Sequence, residues 1–237
     1  MIEVESLTVR FGGVVPIDDM TVAFPGGTCG LIGPNGAGKT TFFNVLSGFV
    51  KPVTGSVRAF GDDLFRMADY RRARWGLRRT FQQEQAIESL SVFENVAMVQ
   101  EHSGQGRSTR RQDVLDALDF VGLDMAPKTK VGGLGARERR LVEVARAVVG
   151  RPRVVLLDEP GAGLPNQETE YLGHVVQRIP ERFGALVILV DHDMSLVSAC
   201  CETTAVLDFG KLIAAGPTAE VLRNEHVIRA YLGTEDV

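Results

Sequence analysis

The feature that most constrains this chain is a glycine-rich stretch near its start, Gly33-Pro34-Asn35-Gly36-Ala37-Gly38-Lys39-Thr40-Thr41. It matches the pattern G-x-x-x-x-G-K-[ST], in which glycines let successive backbone N–H groups turn toward phosphate oxygens. An apolar run at 29–32 precedes it and indicates a buried strand, whereas the run 41–47, ended by a glycine, indicates a helix. The N-terminus of such a helix adds partial positive charge to the loop. The stretch therefore predicts a strand–loop–helix unit that binds a nucleoside triphosphate.

Two side chains of this loop have predicted chemical roles. We expect Lys39 to reach the outer phosphates and the Thr40 hydroxyl to bind Mg²⁺. The predicted nucleotide-binding residues of the loop are Gly33, Asn35, Gly36, Ala37, Gly38, Lys39, Thr40 and Thr41.

Composition excludes several classes of protein. The formal net charge of -4 argues against general binding to nucleic acid or to an anionic membrane surface. Three cysteines, Cys29, Cys200 and Cys201, are too few for a disulfide framework and lack metal-site spacing. No signal segment opens the chain, and no apolar run approaches the ~20 residues of a membrane helix. We therefore expect a cytosolic protein, or one that docks on a membrane through a partner.

Apolar patterning predicts alternating strands and helices, and hence an α/β layered fold. The predicted strands are 2–9, 17–24, 28–32, 56–60, 154–157, 186–190 and 204–208. The predicted helices are 41–47, 92–100, 112–121, 137–149 and 167–179, with a polar, glycine-rich loop at 101–108. Strand signals vanish between about 83 and 150. The pattern therefore predicts a nucleotide-binding core, 1–82 and 151–237, interrupted by a helical subdomain, 83–150.

The apolar strand predicted at 154–157 is followed by two acids, Asp158 and Glu159. An Asp at the carboxyl end of a buried strand beside a phosphate loop is typical of NTPases that hold Mg²⁺, usually through water. The following Glu can accept a proton from an attacking water. Acids at a strand end also serve as helix N-caps, which is the alternative interpretation.

A second apolar strand, 186–190, is followed by Asp191, His192 and Asp193. Ligands bind at the carboxyl edge of parallel strands, where the loop and the acids already lie. We therefore expect His192 to contact the terminal phosphate and to hold the attacking water. A surface or core histidine is the alternative, and His102, His174 and His226 have no such predicted role.

Taken together, these motifs resemble the ATP-binding cassette family over nearly the whole chain. The resemblance implies a P-loop NTPase (RecA-like) α/β core with an antiparallel β region and an inserted helical subdomain. It also implies that Phe11, in Arg10-Phe-Gly-Gly13, stacks on adenine. Gln82, in Arg79-Thr-Phe-Gln82, would link Mg²⁺ to the helical subdomain.

More narrowly, the chain is similar to the ATPase subunits of branched-chain amino-acid uptake transporters. The similar stretches are 10–13, 79–82, 162–164, 192–194 and 227–233. The tail also resembles the ATPase that drives lipopolysaccharide export, so this or another solute such as urea stays an alternative. The resemblance implies ATP and Mg²⁺ as cofactors, integral membrane permeases as partners, and a peripheral location on the cytoplasmic face of the membrane.

One motif departs from the family. Its signature loop, usually Leu-Ser-Gly-Gly-Gln, aligns with Leu134-Gly135-Ala136-Arg137-Glu138, so the serine is gone and Arg137 replaces a glycine. In the family this loop reaches across a head-to-tail dimer to the partner's nucleotide, which would make Gly135 and Arg137 nucleotide-binding residues. The resemblance implies a second cassette as partner, a different chain or a second copy. A second departure is Pro165, where the family usually has Asp.

Other functions stay open at this point. A DNA-repair cassette would need long coiled-coil arms, and a translation cassette usually needs two cassettes in one chain; neither is seen. A regulator that hydrolyses ATP poorly is compatible with the altered signature. The arginine-rich run 66–79 indicates either a solvated helix face or a contact surface for a membrane partner.

Overall fold

The computed structural model describes residues 1–101, 109–123 and 128–232. Residues 102–108 of the predicted loop, including His102, lie outside these ranges. So does residue 233, the last of the stretch 227–233 that is similar to the amino-acid transporter subunits. Within the described ranges, no helix is long and apolar enough to cross a membrane.

The strands form two sheets. One is antiparallel, in the order β2-β1-β4-β5, and comprises β1 (Ile2–Phe11), β2 (Val14–Phe24), β4 (Thr54–Ala59) and β5 (Asp62–Asp63). The other has the order β10-β9-β3-β8-β7-β6. It comprises β3 (Thr28–Ile32), β6 (Leu77–Arg79), β7 (Val154–Asp158), β8 (Leu186–Val190), β9 (Thr203–Asp208) and β10 (Lys211–Pro217). Its strands run parallel except β10, which pairs antiparallel with β9 at one edge.

The helices connect these strands. They are α1 (Lys39–Ser47), α2 (Asp69–Trp75), α3 (Val92–Glu101), α4 (Arg110–Phe120), α5 (Ala136–Val148), α6 (Asn166–Phe183), α7 (Met194–Cys200), α8 (Thr218–Val221) and α9 (Glu225–Leu232). Two short 3₁₀ helices lie at Leu64–Arg66 and Val131–Gly133. Helices α3, α4 and α5 pack on one another between β6 and β7 in the chain order. The predicted α/β class with an antiparallel region and a helical insertion is therefore confirmed.

The central strands β3, β7 and β8 of the six-stranded sheet are buried along their whole length, which explains their continuous apolar runs. Along β7, Val154 and Leu156 pack with the antiparallel sheet and α1, whereas Val155 and Leu157 face the opposite core with helices α3–α7. This alternation follows from the two-residue period of a strand. The helices of the insertion thus share one hydrophobic core with one face of the sheet.

Several element bounds differ from the sequence prediction. Strands β1 and β2 extend to Phe11 and from Val14, because they pair across the intervening turn. The strand predicted at 56–60 is β4, Thr54–Ala59. Helix α6 continues to Phe183 instead of ending at 179, with Pro180 inside its last turn. A proline there removes one backbone hydrogen bond but leaves the preceding turns intact.

The arginine-rich run is not one solvated helix face. Arg66, Arg71 and Arg74 are exposed, but Arg72 and Arg78 are buried. Arg72 donates hydrogen bonds to the carbonyls of Val45 and Leu46 in the last turn of α1, as well as to that of Met67. The N–H of Gly48 also donates to the Val45 carbonyl, so Arg72 and Gly48 together cap the end of α1.

The three cysteines are buried and free. Cys29 lies in β3, as its predicted place in a core strand requires. Burial raises the pKa of Cys29 and raises the pKa of Cys200 to about 12, so both thiols stay protonated at neutral pH.

Candidate nucleotide-binding site

The phosphate loop connects β3 to α1 as the sequence predicts. Gly36 and Gly38 have φ of 80° and 110°, a region that side chains disfavour. A Cβ on Gly38 would lie 2.1 Å from the carbonyl oxygen of Pro16, whereas one on Gly36 would meet no atom within 4 Å. Helix α1 begins at Lys39 directly after the loop, and a left-handed Gly48 ends it. The loop therefore presents backbone N–H groups and a helix N-terminus to one place.

The loop rests on the hairpin formed by β9 and β10. The N–H of Gly210 donates to the Ala37 carbonyl over 3.1 Å, and the Gly210 carbonyl accepts from the N–H of Asp18 over 2.8 Å. Gly33 lies so close to this hairpin that an added Cβ would be 2.1 Å from the Leu207 carbonyl oxygen. The β9–β10 hairpin thus supports the backbone of the loop, although the two segments are far apart in the sequence.

Lys39 lies in the first turn of α1 and is nearly buried. Its Nζ donates to the carbonyl of Gly33, and to that of Pro34 over 2.9 Å. Burial lowers the pKa of Lys39, and the nearby charges of Glu159 and Asp158 oppose that shift. The ammonium group therefore lies at the loop, opposite the two acids.

A cleft of about 210 Å³ opens over the loop. It is lined by Pro16, Asn35, Gly36, Ala37, Gly38, Lys39, Thr40, Thr41, Gln82 and Glu159. Larger clefts, of about 400 Å³ beside α6 and α7 and about 580 Å³ beside the end of α1, contain no residue of the loop. The cleft over the loop is therefore the candidate nucleotide site.

The two acids at the end of β7 have different surroundings. Asp158 is buried, and its Oδ2 accepts from Nη2 of Arg79 over 2.9 Å. Glu159 reaches the cleft, where its Oε2 accepts from Nε2 of Gln82 over 3.0 Å. The backbone of Glu159 has φ of 48°, and its N–H donates to the Val190 carbonyl over 2.7 Å. The first acid is thus fixed in the interior, whereas the second faces the loop.

His192 follows β8 at the same edge of the sheet, but it is absent from the residues that line the cleft. Its side chain is 67% exposed, and its Nδ1 lies 3.7 Å from Oδ1 of Asp191. Asp191 is buried and accepts from the N–H groups of Gly161 and Asp193. The described contacts thus place His192 near the site without a hydrogen bond to any of its groups.

The aromatic and signature residues lie apart from the cleft lining. Phe11 ends β1 with its side chain exposed. Gly135 precedes α5, and Arg137 forms an ion pair with Glu138 over 2.9 Å while its guanidinium lies 5.7 Å from the Tyr171 ring centroid. Pro165 precedes α6 in the same way. The structure therefore does not bring Gly135 or Arg137 to the phosphate loop of their own chain.

Candidate metal-binding groups converge on the same cleft. Thr40 and Gln82 line it, and Asp158 ends the strand behind it. In the described part of the chain, no group of three or more His, Cys, Asp and Glu side chains could hold a metal ion. A hydroxyl, an amide and a carboxylate are, however, the oxygen donors that Mg²⁺ accepts when phosphates and water complete its shell. The donor set fits a nucleotide-bound Mg²⁺ and does not fit a metal held by protein alone.

Sequence reasoning missed two residues that shape this site. Arg79 and Thr80 bind the side chain and the backbone N–H of Asp158, respectively. The observation that identifies them is the strand order. Strand β6 pairs parallel with β7, which places Arg79 opposite Leu156, near the end of the strand that carries Asp158. Without the strand order, nothing in the sequence pairs residues 79 and 158.

Comparison with known proteins agrees with this geometry. A family model described as "ABC transporter" matches residues 18–162, and one described as "Branched-chain amino acid ATP-binding cassette transporter" matches residues 211–237. The chain is 32% identical to the high-affinity branched-chain amino acid transport ATP-binding protein BraF of Pseudomonas aeruginosa. It is 33% identical to LivG, of the same description, from Escherichia coli K12. Each match covers 98% of both chains.

Among solved structures, the fold is similar to an ATP-binding cassette of an ABC transporter in its ADP conformation. The TM-score is 0.88 at 24% identity, with 98% of each chain covered. At this identity the likeness concerns the fold alone.

Proposed function

The chain belongs to the ABC transporter family and is an ATPase subunit of such a transporter, and from this premise we propose that it powers the uptake of branched-chain amino acids. One observation carries the proposed solute. The relatives named for branched-chain amino acid transport match from end to end, and the segment from β10 onward matches a family model of that name.

We propose the following division of work among the residues of the site. Lys39 and the backbone N–H groups of the loop bind the phosphates, and Phe11 stacks on adenine. Glu159 accepts the proton of the attacking water, and Gln82 orients its carboxylate through their hydrogen bond. His192 approaches the terminal phosphate when the site closes.

Thr40, Gln82 and Asp158 are the residues that would hold Mg²⁺. When bound, the metal supplies positive charge that offsets the charge on the phosphates. Phosphoryl transfer depends on positioning and charge stabilisation more than on covalent chemistry, and these side chains supply both.

A second cassette is the proposed partner in hydrolysis. Gly135 and Arg137 lie outside the cleft of their own chain, which supports a contact with the nucleotide of another cassette. We propose a head-to-tail dimer, with a different cassette as partner and a second copy as the alternative. Residues 83–150 would move relative to the core, 1–82 and 151–237, through the segment at Gln82.

Integral membrane permeases are the other proposed partners, which would place the chain on the cytoplasmic face of the membrane. An apolar groove of about 330 Å³ lies beside α2, where Phe49 and Tyr70 are exposed. Arg78 lines the same groove; it is buried and donates to the carbonyls of Ala73 and Leu77, and its Nε has no hydrogen-bond partner among the residues that the structure describes. A permease segment with an apolar face and a carboxylate would complement this surface.

Reconstitution of the assembled transporter in proteoliposomes tests the proposed solute. With ATP and this chain on the inside of the vesicles and a branched-chain amino-acid binding protein on the outside, we expect leucine to stimulate ATPase activity and to be taken up, whereas urea does neither. The Glu159→Gln variant of this chain serves as the matched control, because it should assemble but not drive uptake. Stimulation by urea and not by leucine would replace the proposed solute, and failure of the chain to copurify with any permease would contradict a transport role.

A further inference from the structure

A buried arginine joins the strand-end acid to the helix that begins at the phosphate loop. Arg79 is the last residue of β6, and its side chain is 6% exposed. Its Nη2 donates to Oδ2 of Asp158 over 2.9 Å, and its Nη1 donates to Oδ1 of Asn44, on α1, over 2.7 Å. One guanidinium therefore fastens Asp158 to α1.

Two aromatic rings flank the same guanidinium. Its Cζ lies 5.4 Å from the ring centroid of Phe43, on α1, and 5.0 Å from that of Phe81. Phe81 immediately precedes Gln82, whose amide donates to Glu159. The aromatic contacts restrict the guanidinium plane and connect it to the segment that carries Gln82.

The surroundings of Asp158 leave one of its carboxylate oxygens available. Its backbone N–H donates to the hydroxyl of Thr80 over 3.0 Å, and Oδ2 is occupied by Arg79. Within the described ranges of the chain, Oδ1 accepts no hydrogen bond. The neighbouring strand β6 thus fixes both the backbone and the side chain of this acid, with a single oxygen left for another ligand.

We propose that Arg79 is a positioning residue for the Mg²⁺ site: it holds Asp158 so that one defined oxygen meets the metal shell, and it ties this acid to the Gln82 segment. The inference rests on the proposed function, since that function makes Asp158 a metal-binding residue. Arg79 acts through Asp158 and touches no substrate itself. A lysine cannot replace it fully, because a single ammonium lacks the planar fork that reaches Asp158 and Asn44 together.

An alternative explanation predicts the opposite change in Mg²⁺ affinity when Arg79 is replaced. If Arg79 acted only through its positive charge, its removal would strengthen binding of a divalent cation nearby. Positioning predicts weaker binding, because residues that orient metal ligands typically contribute about 10- to 100-fold to metal affinity. The direction of the change therefore separates the two views.

The test measures ADP affinity of the purified full chain at a series of Mg²⁺ concentrations and in EDTA, with wild type, Arg79→Met, Arg79→Lys and Arg58→Met. Arg58 is exposed on β4, so Arg58→Met controls for the loss of an arginine charge. For Arg79→Met we expect an affinity for Mg²⁺ about 10- to 100-fold weaker, with ADP affinity in EDTA unchanged. Arg79→Lys should lie between wild type and Arg79→Met, and the bound Mn²⁺ signal in electron paramagnetic resonance should change in both variants.

Three results would overturn the inference: stronger Mg²⁺ binding by Arg79→Met, an equal loss of ADP affinity with and without metal, or an Arg79→Lys variant indistinguishable from wild type. If Arg79→Met does not fold, Arg79→Lys decides alone by the same criteria. A wild-type chain whose ADP affinity ignores Mg²⁺ would overturn the proposed metal site as well. A wild type that responds to Mg²⁺, beside Arg79 variants that respond equally, would reject only the role of Arg79.

Discussion

Glu159 has a backbone conformation that is uncommon for residues other than glycine, with φ of 48°. Such conformations cost on the order of 1–3 kcal/mol and persist where the surroundings enforce them. Here the N–H of Glu159 donates to the Val190 carbonyl, which turns the chain at the end of β7 and directs the side chain into the cleft. The turn therefore separates the roles of two adjacent acids, one buried and one facing the loop.

For single residues, we predict that Lys39→Ala and Glu159→Gln separate nucleotide binding from hydrolysis. Lys39→Ala removes the ammonium group from the loop and should weaken ATP binding. Glu159→Gln keeps size and polarity but removes the base, so ATP should bind and persist while turnover falls by about 10²- to 10⁴-fold. Equilibrium binding and phosphate release in the assembled complex measure the two effects.

The interpretation of Glu159 would be wrong if Glu159→Gln hydrolysed ATP at the wild-type rate in that complex. Glu168→Gln is a suitable control, since Glu168 lies in the first turn of α6 and outside the cleft. It should leave both binding and turnover unchanged.

The positions of the candidate site residues were predictable from the sequence where they depend on neighbours along the chain. The phosphate loop, the acids at the end of β7 and the histidine after β8 each accompany a strand signal. The ion pair of Arg79 with Asp158 depends instead on β6 lying beside β7, which only the strand order reveals. The burial of the Arg72 side chain and its hydrogen bonds to α1 likewise depend on the end of α1 lying beside α2.

The phosphate loop has strict backbone requirements. Gly36 and Gly38 both have positive φ, but only Gly38 lies against another backbone, that of Pro16 on β2. Two glycines of the same motif therefore differ in why they are needed. One needs conformational freedom alone, and the other also needs the space of a missing side chain.

We predict that Gly38→Ala destabilises the protein strongly and abolishes ATP binding. Gly36→Ala should destabilise the protein only mildly and retain ATP binding. An alanine at positive φ costs about 1–2 kcal/mol, and this is the whole expected effect at position 36. At position 38 the added Cβ would also meet the Pro16 carbonyl oxygen at 2.1 Å, so the loop or β2 must shift. Thermal unfolding and ATP titration of the two variants give the comparison, and equal effects would contradict the packing argument.

The elements that the sequence predicts have the right type, and most of their ends differ by a few residues. Seven short or weakly patterned elements were not predicted: β5, β6, β10, α2, α7, α8 and α9. Strands β3 and β8 have the predicted bounds because apolar runs and turns mark both ends. Helix α6 runs past Pro180, because the N–H of Gly184 still bonds to the Pro180 carbonyl and the left-handed glycine ends the helix. The last strand, β10, alternates too weakly in hydropathy to be predicted alone and is held by its pairing with β9.

For the whole molecule, the position of the altered signature loop determines how two cassettes would share their work. Gly135 lacks the hydroxyl of the usual serine, and Arg137 is engaged by Glu138 and lies over Tyr171. This loop would serve the partner's nucleotide, whereas the partner's loop would serve the cleft at Lys39 and Glu159. The two composite sites of a heterodimer would therefore differ.

We predict that the site completed by Gly135 and Arg137 is the slower one. Loss of one donor at a comparable oxyanion site reduces the rate by about 10²- to 10³-fold. In the assembled transporter, Glu159→Gln should therefore remove much more ATPase activity than the same change of the general base in the partner cassette. Equal losses would contradict the asymmetry.

Restoring the usual residues provides the matched experiment. The double substitution Gly135→Ser and Arg137→Gly should raise activity at the partner's site when this chain also carries Glu159→Gln. No increase would mean that Arg137 already fulfils the task of the loop.

The support of the phosphate loop by the β9–β10 hairpin also concerns the order in which the protein becomes functional during synthesis. The Leu207 carbonyl beside Gly33 and the Gly210 N–H bonded to Ala37 are synthesised long after the loop itself. A nascent chain that has the motif but not the hairpin lacks the contacts that give the loop its shape. We therefore expect a nascent chain that lacks the β9–β10 hairpin to contain the motif without binding nucleotide.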